Sequence, residues 1–116
     1  IVGMARDPQF GPVVMFGLGG VFVEVFKDVS FGVAPLDIAQ VREMIARTKS
    51  RAILEGARGA SPRDIAALAD LLVQVGMLGY HNPDIEGMDL NPVMVLDRGL
   101  VALDARIILS NHNKNG

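Results

Sequence analysis

Asn91 and Asp104 are two oxygen-bearing side chains spaced so that they could share one cation. Between them lie two apolar, β-branched runs, Val93-Met94-Val95-Leu96 and Leu100-Val101-Ala102-Leu103, joined at the turn-forming cluster Asp97-Arg98-Gly99. That pattern predicts a β-hairpin. A loop of two or four residues around Arg98-Gly99 sets Val93 opposite Asp104. Asn91, two residues before Val93, then points to the same side of the sheet as Asp104. A three-residue loop without a bulge would invert this, because a slip of one residue exchanges the faces. In the first register an amide oxygen and a carboxylate converge diagonally, within reach of one hard cation. Oxygen ligands without sulfur or clustered histidine point to Mg²⁺ or Mn²⁺ rather than zinc. Asn-Pro pairs also start turns, and strand aspartates are commonly solvated, so spacing alone leaves both readings open.

The elements that must carry this hairpin are readable in order. Residues 1–5 predict a short strand, and residues 7–12 a loop rich in Pro and Gly. Strands are expected over 12–18 and 21–27, with Gly17-Leu18-Gly19-Gly20 as the turn between them. Glu24 is a lone carboxylate in a strand otherwise apolar on both faces, so it belongs at an edge or a ligand cleft. A further strand is expected near Phe31 to Ala34. Asp37 with Gln40 three residues on is a capping-box pattern, followed by Ile38, Val41, Met44 and Ile45 at helical spacing. A short second helix is expected over 50–55. Ser61-Pro62-Arg63-Asp64 opens a long helix, with Ser61 as cap and Pro62 in the first turn. Its apolar face is Ile65, Leu68, Ala69, Leu72, Val75 and Gly76, and Asn82-Pro83 stops it. A strand over 85–90 leads into the hairpin, and the Asn-rich residues 110–116 are expected to form a disordered tail. Strands, then helices, then strands predict an α+β fold: a largely antiparallel sheet with helices packed on one face.

Composition narrows the function classes. The chain of 116 residues is half hydrophobic, enough for one domain with its own core. A formal net charge of −2 without a basic stripe argues against nucleic acid as a main partner. With no cysteine, disulfides, zinc–thiolate sites and cysteine nucleophiles are excluded, which fits a cytoplasmic protein. The longest apolar run, residues 13–23, is interrupted by glycines and too short for a membrane helix, and no signal peptide precedes it. No membrane partner is therefore expected. The opening Ile1-Val2-Gly3-Met4 reads as mid-strand, so the chain is expected to be a piece of a longer polypeptide.

A longer pattern carries a family likeness. Met4-Ala5-Arg6-Asp7-Pro8-Gln9-Phe10-Gly11-Pro12, continuing through Gly17-Leu18-Gly19-Gly20 to Val23-Glu24-Val25, resembles the ATP-grasp region of ADP-forming acetyl- or acyl-CoA synthetases. Asp89-Leu90-Asn91-Pro92-Val93, with Leu103-Asp104 downstream, is similar to the Asn-Pro hairpin of the related succinyl-CoA synthetase β chain. The likeness runs from about residue 1 to 108 and implies the C-terminal subdomain of an ATP-grasp domain. It implies acid, CoA and ATP exchanged with acyl-CoA, ADP and phosphate, through an acyl phosphate and a phosphorylated histidine. By the same likeness, Asn91 and Asp104 match the residues that hold the Mg²⁺ (or Mn²⁺) bridging the phosphates of ATP or ADP. Asp89 matches an acidic position beside them, and Arg6 and Glu24 fall in the matched stretch as phosphate-proximal candidates. Arg58, in a glycine-bounded loop, is an anion-contact candidate or a solvated arginine.

The likeness also implies missing partners: the N-terminal ATP-grasp half that reads the base, a CoA-binding domain, and a domain bearing the phosphorylated histidine. His81 and His112 match no such motif, so the chain is expected to be inactive alone. The alternative is a non-catalytic ATP-grasp-like module of a fusion protein, such as a protein lysine acetyltransferase.

Overall fold

The computed structural model describes residues 1–19, 28–49, 54–56 and 62–110. The expected strand over 21–27, most of the short helix over 50–55, and Glu24, Arg58, Ser61 and His112 lie outside the described residues. Among the described residues nine elements follow in order. Strands β1 (Val2–Asp7), β2 (Gly11–Gly17) and β3 (Val29–Val33) precede helices α1 (Ile38–Ala46) and α2 (Ile65–His81). Strands β4 (Ile85–Leu90), β5 (Val93–Val95), β6 (Leu100–Ala102) and β7 (Ala105–Leu109) complete the chain. Five strands form one sheet in the order β3-β2-β1-β4-β7, every neighbouring pair antiparallel. Strands β5 and β6 form a separate two-stranded ribbon.

Local chemistry sets these elements. Asp7 Oδ1 accepts from the N–H groups of Gln9 and Phe10, and Gly11 follows at φ +80, so β1 turns tightly into β2. The capping box at Asp37 and Gln40 is present in both directions. Alternation then divides the sheet. Val2 and Met4, Val14 and Phe16, and Met88 are buried on one face. There they join Val41, Met44 and Ile45 of α1 with Leu68, Leu72 and Val75 of α2 in one core. Gly3, Ala5, Val13, Met15, Phe31 and Asp89 alternate with them and face away. The α+β expectation, helices on one face of an antiparallel sheet, holds.

Three details differ from expectation. Strand β1 runs through Arg6 to Asp7, because both pair with β2, at Pro12 and Gly11. The cap of α2 is Asp64 rather than Ser61: its side chain accepts from the Ala67 N–H, and Pro62 and Arg63 precede the helix. Ser110 is not free tail, since its N–H donates to the Asp84 carbonyl at 2.7 Å.

Candidate functional site

Strand β4 passes into β5, and β6 into β7, through a bend at Asn91-Pro92 and Leu103-Asp104. Leu90 faces Ala105 below the bend and Val93 faces Ala102 above it, so the register is continuous. Within the bend the Asn91 N–H donates to the Asp104 carbonyl at 3.1 Å, and the Leu103 N–H to the Pro92 carbonyl at 2.9 Å. The backbones of Asn91 and Asp104 therefore adjoin at the bend. The expected pairing of Val93 with Asp104 is corrected. The Leu96 N–H donates to the Gly99 carbonyl at 3.0 Å, and Gly99 has φ +77. The turn is thus centred on Asp97-Arg98, one residue earlier than expected, which shifts the pairing by two residues.

Asn91 and Asp104 are exposed, and so is Asp89, which precedes Asn91 by two positions along the strand. Asp104 Oδ1 accepts from the Ala105 N–H at 2.9 Å. Among the described residues no hydrogen bond occupies the Asn91 carboxamide or the second Asp104 oxygen. An amide oxygen and a carboxylate suit a hard divalent cation. Among the described residues no three His, Cys, Asp or Glu side chains cluster as a metal site.

Asp89 also edges a shallow cavity of about 280 Å³ on the helix-free face, walled by Gly3, Ala5, Val13, Met15 and Phe31. A comparable cavity of about 290 Å³ lies beneath the ribbon, between Val93, Val95, Phe16 and Leu68, and among the described residues its lining includes no acidic side chain.

The remaining candidates separate from this pair. Arg6 lies four residues along β1 from Val2, the partner of Leu90, about 13 Å from the bend. Its guanidinium donates to the Gly79 carbonyl (2.7 Å), to the Ile85 carbonyl (2.8 and 3.0 Å) and to the Asn82 carbonyl (3.1 Å). Arg6 therefore caps the end of α2 and holds the start of β4. His81, the last residue of α2, is exposed and packs edge-on against Tyr80 with ring centroids 5.3 Å apart.

Sequence reading missed the anchorage of the ribbon. Asp64 Oδ2 accepts from the Gly99 N–H at 2.7 Å, while the Asp64 N–H donates to the Leu96 carbonyl at 2.7 Å. The Gly99 N–H, and after it the Ala67 N–H, holds the Asp64 carboxyl below the usual carboxylate range. Arg63 adds an exposed ion pair to Asp97 at 3.3 Å. The only local signal was an Asp in a capping position.

Comparison with known proteins agrees with this architecture. The ATP-grasp domain family matches residues 1–109. Acetate–CoA ligase [ADP-forming] I subunit beta of Pyrococcus furiosus is 55% identical over 109 residues, covering 94% of this chain and 47% of that subunit. Acetate–CoA ligase [ADP-forming] I of Archaeoglobus fulgidus is 52% identical, covering 94% of this chain and 16% of that protein. Among solved structures, acetyl-coenzyme A synthetase 1 of Ca. Korarchaeum cryptofilum, in complex with coenzyme A and Mg-AMPPCP, superposes with a TM-score of 0.89 at 54% identity. That match covers 93% of this chain and 51% of the other. The chain thus spans about half or less of the length of these relatives. Matched almost from end to end, it belongs to the ATP-grasp domain family and is similar throughout that length to ADP-forming acetate–CoA ligases.

Proposed function

We propose that the chain is the C-terminal half of the nucleotide site of an ADP-forming acyl-CoA synthetase, which converts acid, CoA and ATP to acyl-CoA, ADP and phosphate. The observation that supports this reading is the hydrogen bond from the Asn91 N–H to the Asp104 carbonyl at the bend, two residues beyond Asp89. Asn91 and Asp104 hold Mg²⁺ or Mn²⁺, and Asp89 stands near the nucleotide phosphates. When bound, the cation supplies neutralisation of phosphate charge.

The rest follows from these residues. Asp89 and Asp104 are anionic, so without a cation they repel phosphate oxygens, and nucleotide binding at this face is metal-dependent. Their part in phosphoryl transfer is positioning. None of them serves as a nucleophile or general base. The N-terminal ATP-grasp half, the CoA-binding domain and the phosphohistidine domain belong to the remainder of the synthetase, and residues 1–109 alone are inactive.

Asp104→Asn in the full-length protein tests this. It is expected to reduce acid- and CoA-dependent ADP formation by at least about 100-fold. Unchanged turnover would overturn the reading in favour of a non-catalytic module.

A further inference from the structure

We infer that Asp64, a residue outside the proposed metal pair, is a positioning residue for that pair: it ties the tip of the β5–β6 ribbon to the start of α2. The inference rests on the reading of Asn91 and Asp104 given above. A two-stranded ribbon is marginal by itself. Val93, Val95 and Leu100 pack against the core, but apolar contact is non-directional and does not fix the angle of the ribbon at the bend. Directional restraint comes from the tip. Asp64 supplies it twice, accepting from the Gly99 N–H and donating to the Leu96 carbonyl, both at 2.7 Å. The Arg63–Asp97 pair is about half exposed on both sides and contributes little.

Asp64 itself is well anchored. Its Oδ1 caps α2 through the Ala67 N–H at 2.9 Å, and α2 is buried along the core through Leu68, Leu72 and Val75. From the tether, the strands run directly to the bend: Leu96 back to Asn91, and Gly99 on to Asp104. Releasing the tip lets the ribbon swing about the bend where the two ligands sit, and a metal pair tolerates little such play.

Asp64→Ser separates the two jobs of the carboxylate. One hydroxyl oxygen still caps the helix, but the second acceptor is gone. In the intact chain, loss of one charge-assisted hydrogen bond is expected to lower amide-exchange protection at Asn91 and Leu103 by about tenfold. Protection in β1 and β2 should be unchanged. Mn²⁺–ADP affinity, read from paramagnetic broadening, is expected to weaken by about tenfold as well. Asp64→Asn, which keeps size and cap, gives the same readout should the serine variant fail to fold. Unchanged protection with unchanged affinity overturns the inference. Reduced protection with unchanged affinity also overturns it, since Asp64 would then be structural only. If the unmutated chain shows no Mn²⁺–ADP broadening at Asn91 and Asp104, the site reading fails and the inference falls with it.

Discussion

Arg6 donates to the Gly79 carbonyl at 2.7 Å, linking the second half of β1 to the last turn of α2 across 73 residues of sequence. The same guanidinium serves the Asn82 and Ile85 carbonyls, so it covers backbone acceptors that a helix end leaves without intrahelical donors. Arg6→Met keeps the stem and removes the charge. It is expected to destabilise the fold by about 2 kcal/mol in denaturant unfolding. Mn²⁺–ADP affinity should change by less than about twofold, because the bend is distant. A large loss of affinity at unchanged stability would return Arg6 to the phosphate site.

Gly79 is constrained on its other side too. A Cβ there would lie 2.7 Å from Met4 Cε and 3.2 Å from Pro12 Cβ. The methionine end can move; the proline ring cannot. Gly79→Ala gains about 1 kcal/mol of helix propensity and loses about 1–3 kcal/mol to overpacking, so net destabilisation is expected. Gly76→Ala meets Val14 Cγ2 at 3.3 Å and Ala34 Cβ at 3.4 Å and is expected to be near neutral. Equal unfolding midpoints for the two variants would contradict the close approach at Gly79.

The Asp64 carboxyl gives a pH signature. Its folded value lies below the ordinary 3.8 because the ionised form accepts from the Gly99 and Ala67 N–H groups. Its contribution to stability is therefore complete above 3.8 and is lost as the pH falls through the lowered folded value. The Gly99 amide shift should titrate with a midpoint below 3.8. A midpoint at or above that value would mean that the tether does not favour the charged form.

Much of this was legible in the sequence because it is local. The Asp37–Gln40 capping box, the apolar spacing of α2 and the two runs flanking the turn each follow from near neighbours, and together they predict the α+β layer. The register was misplaced by two residues because Asp97-Arg98-Gly99 contains no unique centre. Ser61 and Asp64 are both acceptable caps; contacts with Gly99 and Leu96, more than 30 residues away, distinguish Asp64. Arg6 was a phosphate-proximal candidate in the sequence, and its carbonyl partners lie 73–79 residues downstream. No local pattern reports that distance.

The most direct test of the central claim is Mn²⁺ titration of the ¹⁵N-labelled chain with ADP, following paramagnetic broadening at each amide. The account predicts broadening centred on Asn91 and Asp104, extending to Asp89 and sparing Arg6 and Gly79. Broadening centred elsewhere, or uniform along the chain, would contradict the assignment of the metal to this pair.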